Sequence, residues 1–242
     1  MTVQLKKPAA SAIPIHAVDL AGFNAAAAAL PPAQRQWLAS LGFRGAPDTH
    51  ALLPGDDGRI AAVWAGVRAV DHPYALSLLP RALPEGSYRL ADGPLAVDAG
   101  AAALSWQLGS YAFERYKQRP RAAAQLQLPP GDGARRGLMQ AAAITLVRDL
   151  VNTPAEDMGP AQLAAAAQQL AKAHGARFGQ VVGDELLKKN FPAIHAVGRA
   201  ADAKARAPRL IELNWGRPKD PKLTLVGKGV CFDSGGLDIK PA

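Results

Sequence analysis

Cysteine is almost absent from this chain: Cys231 is the only one in 242 residues. An intramolecular disulfide is thereby excluded, and a reducing, cytoplasmic setting is expected. No stretch approaches the roughly 20 consecutive apolar residues of a membrane span, so no membrane partner is expected. Lys6 and Lys7 stand near the N-terminus, but Pro8, Ser11, Pro14, His16 and Asp19 interrupt any apolar signal core. Aromatic residues are few and do not alternate with basic ones in the manner of single-strand-binding surfaces. The histidines, His16, His50, His72, His174 and His195, are scattered and form no H-E-x-x-H pair. Phosphate-binding fingerprints are missing too. Lys228 is followed by Gly229 rather than Ser or Thr, and Gly227 and Gly229 are followed by Phe232 where a dinucleotide loop needs glycine.

Core material, by contrast, is ample. Hydrophobic residues make up 49% of the chain, which fits a globular protein of one large domain or two modest ones. The net charge of +8 raises the question of an acidic partner such as nucleic acid. Many of the basic residues are dispersed, however. The local cluster Arg115, Lys117, Arg119, Arg121, Arg135 and Arg136, offset only by Glu114 and Asp132, surrounds a Pro/Gly-rich segment and reads as a solvated linker.

The pattern predicts an α/β protein. Residues 1–31 are rich in alanine and proline, with extended pieces such as Ile13-Pro14-Ile15. A short helix is expected from Pro32, with Trp37, Leu38 and Leu41 on one face and Gly42 as its stop. A strand is expected at 59–66 after the turn cluster 55–58, then a short helix at 76–79, a strand at 87–90 and a helix at 101–117. Pro129-Pro130-Gly131-Asp132-Gly133 is the best boundary, dividing a small N-terminal α/β domain (1–130) from a second domain opening at 134. There, helices are expected at 138–151, 160–174 and 184–189, and strands at 177–182, 209–215 and 223–226. The first of these helices should end at Asn152-Thr153-Pro154, because the residue before proline is pushed out of the helical region. Strands alternating with helices predict a wound, mainly parallel αβα sheet, whose sites lie beyond the carboxyl ends of its strands.

The stretch LTLVGKGVCFDSGGLDIKPA, residues 223–242, lies in such a place. It is a glycine-rich loop that carries two lysines and two carboxylates, Lys228, Asp233, Asp238 and Lys240. Asp233 follows Val230-Cys231-Phe232, at the edge of an apolar layer where an unpaired charge is costly. It needs a cation, which a lysine or a metal ion could supply. His195 either lines a site or packs at a helix end, the second being the ordinary role. Cys231, with no His partner in view, reads as a small buried side chain rather than a nucleophile.

The segment VGKGVCFDSGGLDIKPA resembles the metal-binding loop of the leucyl (cytosol) aminopeptidase family. VRDLVNTPAEDMGPAQLA resembles that family's opening catalytic helix and Asn-x-Pro loop, and FPAIHAVGRA with PRLIELNW resembles the approach to its metal-bearing strand. From about residue 138 the resemblance is specific, and before about 130 it is weaker. It implies a metalloaminopeptidase acting on peptides with an unblocked N-terminus, with two divalent ions (Mn or Zn), bicarbonate as an accessory, and assembly as a cytoplasmic homo-hexamer. Lys228 is implied as an amine ligand of one metal, Asp233 as a carboxylate bridging both, and Lys240 as a charged group facing the substrate carbonyl and developing oxyanion. Asp238 has no metal role in that pattern. An ammonium has no lone pair, so Lys228 can ligate only as the neutral amine, whereas Lys240 has to keep its proton. The family's further aspartates, glutamate and arginine follow the Ile-Lys-Pro segment and are not in this sequence. The chain is therefore expected to be the N-terminal domain plus the first, incomplete part of the catalytic domain, inactive by itself. The alternative is a non-catalytic assembly or DNA-binding module derived from the same family. A third expectation is that residues 1–242 do not fold independently, since the sheet would lack its later strands.

Overall fold

The computed structural model describes residues 2–93, 95–201 and 206–231. The chain divides into two compact units, Met1–Arg148 and Asp149–Ala242.

In the first unit, strands β1 (Val3–Leu5), β2 (Ile13–Val18), β3 (His50–Pro54), β4 (Ile60–Gly66), β5 (Ser87–Leu90) and β6 (Gln125–Leu128) form one sheet in the order β1-β6-β5-β2-β4-β3. Every neighbouring pair is parallel except β3 with β4, so this unit is the expected α/β domain, built on a mainly parallel sheet. Parallel strands are covered on both faces, and the alternation along β4 shows how. Val63 and Ala65 point into one core with Ile15, Ala17, Tyr88, Leu126 and Trp106. Trp64 points to the other, with Val18, Phe23, Leu38, Phe43 and Leu53. The first core is closed by α3 (Leu79–Ala82), α4 (Ala99–Gly109) and the start of α5 (Asp132–Asn152), the second by α1 (Phe23–Ala28) and α2 (Pro32–Ser40). The helix expected from Pro32 is thus present, with Gly42 just past its end at φ +65°.

Several expectations are corrected. The helix expected at 101–117 is α4, which starts earlier and stops at Gly109. Its start is fixed by Asp98, whose Oδ1 accepts from the Ala101 N–H at 2.9 Å. At its end Ser110 turns its hydroxyl back onto the Gln107 carbonyl, and Thr2 Oγ1 donates to the Ser110 hydroxyl at 2.6 Å. The short helix expected at 76–79 falls one turn later, as α3. The helix expected at 138–151 is α5, which begins already at Asp132 and ends, as expected, before Thr153-Pro154.

The largest correction concerns the segment read as a solvated linker. It contains β6, an interior strand between β1 and β5, with Leu126, Gln127 and Leu128 buried. The basic residues around it stay exposed, as expected, apart from the half-buried Arg119, but several of them also make contacts. Arg119 clasps Glu114 at 2.7 Å and donates to the Ser110 carbonyl, Arg121 donates to the carbonyls of Arg81 and Leu83, and Arg135 pairs with Asp132.

In the second unit, α6 (Pro160–Ala173), β7 (Arg177–Val182), α7 (Glu185–Lys188), α8 (Pro192–Gly198) and β8 (Arg209–Asn214) follow in order. Pro160 opens α6, and Gly175, at φ +65°, lies just beyond it, as the sequence suggested. Here β7 and β8 pair antiparallel, from Arg177 opposite Asn214 to Val182 opposite Arg209. The strand expected at 223–226 is not formed: these residues join no sheet among the described residues, and their apolar side chains are exposed. Their composition suits a strand, but a strand exists only where a neighbour accepts its hydrogen bonds.

Candidate functional site

The chain reaches the candidate loop by a fixed path. After β8, Trp215 Nε1 donates to the His174 carbonyl at 3.1 Å. Arg217 and Asp220 then close a turn through backbone and side-chain bonds of 3.0 to 3.2 Å. Residues 221–230 follow without regular structure. Gly229 lies against α6, where an added Cβ would stand 3.1 Å from Leu163 Cδ2. Cys231 is partly buried, and burial pushes its thiol up while the Arg209 charge opposes the shift. A raised thiol has little thiolate, which agrees with a packing role rather than a nucleophile.

Lys228 sits on this loop with its side chain exposed. Asp233, Asp238 and Lys240 lie outside the described residues, so of the expected site only Lys228 is placed. Among the described residues no group of three or more His, Cys, Asp or Glu is arranged to hold a metal ion. One exposed amine is not a metal site, because stable binding needs several converging, deprotonated donors. The described residues alone therefore do not fit a metal ion.

His195 is settled as a helix-end residue. It lies in the last turn of α8, with Nε2 at 3.0 Å from Asp184 Oδ1. The first unit holds a cavity of about 260 Å³ that the sequence did not signal, lined by Asp71, Asp98, Leu104, Arg136 and Gln140 among others. Its residues are spread from one helix start to another and share no motif. One of its acids, Asp98, is already used as the α4 cap.

Among the described residues no helix is long and apolar enough to cross a membrane. Residues 13–129 match the family model described as M17 aminopeptidase, N-terminal domain. Residues 145–242 match that described as cytosol aminopeptidase family, catalytic domain. A probable cytosol aminopeptidase of Streptomyces griseus is 34% identical over 244 residues, covering 85% of this chain and 47% of the relative. A similarly described protein of Roseiflexus castenholzii is 33% identical, covering 87% and 43%. Among solved structures, cytosol aminopeptidase from Coxiella burnetii superposes with a TM-score of 0.86 at 38% identity, over 99% of this chain and 52% of that one. The bottromycin maturation enzyme BotP, in complex with Mn, superposes at 0.66 and 25% identity, over 87% and 46%. The chain spans about half the length of these relatives. With an N-terminal and a catalytic domain of one family matched in order along it, this chain belongs to the cytosol aminopeptidase family.

Proposed function

We propose that the protein is a metal-dependent aminopeptidase that removes residues from the N-termini of peptides, acting in the cytoplasm as a homo-hexamer. The observation that carries this reading is that the family's catalytic-domain match runs over residues 145–242 and so includes Lys228, Asp233 and Lys240. The domain division proposed is 1–130 and 134–242, supported by family matches that end at 129 and resume at 145.

Lys228 and Asp233 are the proposed ligands of two divalent ions, Mn or Zn, with bicarbonate as an accessory. Support for divalent metal comes from BotP, which is described in complex with Mn. Such ions supply Lewis-acid polarisation of the scissile carbonyl and an activated water. The chain's own residues divide the remaining work. Lys228 serves only as a neutral amine. Lys240 serves only while charged, donating to the oxygen on which negative charge develops. Descriptions of the relatives as cytosol aminopeptidases support both the peptide substrate and the cytoplasmic setting.

The test is a chimera in which this chain replaces the matching half of the Coxiella burnetii relative. With Mn or Zn it is expected to release leucine from a leucyl chromogenic amide. Lys240→Met should lower kcat by roughly 10²–10³, the usual loss for one oxyanion donor. A folded chimera that hydrolyses nothing with either metal overturns the reading.

A further inference from the structure

The cavity of about 260 Å³ in the first unit lies where α4 starts against α5. Gly133, Arg136, Gly137 and Gln140 recur at three- and four-residue steps and line it from one face of α5. Gly100, Ala101 and Leu104 line it from α4. Because the Gly100 carbonyl fills the place of a Gly137 side chain, the helices touch there backbone to backbone. Leu104 and Gln140, about a turn further along each helix, wall the hollow beside that contact. The remaining wall comes from Asp71 and Pro73, between β4 and α3, and from Asp98. Opposite charges therefore border one space. Arg136 brings a guanidinium and Asp71 a carboxylate, while Asp98 spends Oδ1 on capping α4. Among the described residues the side chains of Asp71, Arg136 and Gln140 have no hydrogen-bond or ion-pair partner. A simple anion would meet the two carboxylates, and a simple cation would meet Arg136, so each would face like charge. A small molecule that carries both charges satisfies both walls. The volume is below the roughly 300–1,000 Å³ of sites for drug-sized ligands, and Leu104, Ala101 and Pro73 supply apolar lining.

We propose that this cavity binds a free α-amino acid with an aliphatic side chain. Its ammonium pairs with Asp71, its carboxylate with Arg136 and the Gln140 amide, and its side chain lies against Leu104 and Pro73. The site uses none of the residues proposed for hydrolysis, and it stands whether or not the protein cleaves peptides. A free amino acid is also what the proposed hydrolysis would release.

The 242-residue chain is titrated with L-leucine in the presence of a chelator, and the amide resonances of Ala101 and Gly137 are followed by NMR. Saturable shifts are expected, with a Kd on the order of 1 mM or lower for so small a ligand. Leucinamide, which lacks the carboxylate, and 4-methylpentanoate, which lacks the ammonium, should each bind at least about tenfold more weakly. Arg136→Gln should weaken leucine by about tenfold and leave leucinamide as it was, whereas Asp71→Asn should weaken leucine and leave 4-methylpentanoate as it was. Both side chains are exposed, so neither variant should change the melting temperature. Lys228→Ala should leave leucine binding unaltered. Calorimetry of the metal-free chimera repeats the series, so that poor solubility of the shorter chain does not leave the question open. No saturable response to leucine up to about ten times that Kd, equal binding of leucine and either analogue, or leucine binding that survives both Arg136→Gln and Asp71→Asn overturns the proposal. So does binding that is lost on Lys228→Ala.

Discussion

The carbonyl oxygen of Gly100 occupies the space where a side chain on Gly137 would begin: a Cβ built there stands 2.2 Å from it. The first turn of α4 and the body of α5 therefore touch backbone to backbone. Alanine in place of a helical glycine ordinarily gains up to about 1 kcal/mol. At this position the sign should reverse, since the obstacle is backbone and cannot rotate away. Gly137→Ala is expected to cost about 1–3 kcal/mol, the range for overpacking, and to lower the melting temperature by several degrees. Gly133→Ala provides the control on the same helix, because its Cβ would meet nothing closer than 3.7 Å. Equal melting temperatures for the two variants would show that the close crossing is not present.

Leu126 distinguishes a strand from a linker. It is fully buried in β6, in the core that holds Tyr88 and Trp106. Trp106 Nε1 also donates to the carbonyl of Ala124, one residue before that strand. Leu126→Ala is expected to cost about 2–5 kcal/mol, as for other buried leucines, readable as a lower urea midpoint with an unchanged slope. A substitution in a solvated linker would leave the midpoint where it was.

The clasp of Arg119 on Glu114 makes part of the stability dependent on pH. The Arg119 side chain, and then its backbone N–H, hold the Glu114 carboxyl below its ordinary range. A carboxyl depressed on folding contributes stability above its unfolded value, about 4.3, and loses it as the pH falls through the lower folded value. Glu114→Gln should therefore melt below the unsubstituted chain at neutral pH, with the gap closing in acid. A gap that persists unchanged into acid would mean that the carboxylate charge is not what the arginine holds.

The sequence made legible those elements whose local signals agreed with their tertiary setting. Pro32 and Gly42 bracket α2, Pro160 and Gly175 bracket α6, and β4 carries a continuous apolar run because both its faces are covered. It misled where an element owes its existence to distant partners. Gln125–Leu128 is short and half polar, preceded by three alanines and followed directly by proline. It is a strand because β1 and β5 lie on either side of it, and no local pattern records that. The start of α5 was hidden by Gly133, which reads as a loop residue, and by Gly137, which serves a close helix crossing. The reverse holds at Leu223–Val226, where propensity is high but no partner strand lies among the described residues. The candidate site was legible only as a motif. Lys228 takes its meaning from the spacing to Asp233 and Lys240, not from any feature of its own exposed position.

That position leads to the last prediction. Lys228 is exposed on a loop without regular structure, and the described residues around it supply no cluster of metal ligands. Catalysis by positioned groups depends on holding reacting atoms within a few tenths of an ångström, and an amine on an unpaired loop is not so held. The 242-residue chain by itself is therefore expected to release no leucine from a leucyl chromogenic amide above the buffer rate, with Mn or with Zn. Lys228→Ala should leave its Mn binding unchanged in calorimetry, since one amine adds little without converging partners. Mn-dependent release by the unpartnered chain, lost on Lys240→Met, would show instead that these 242 residues already assemble a working site.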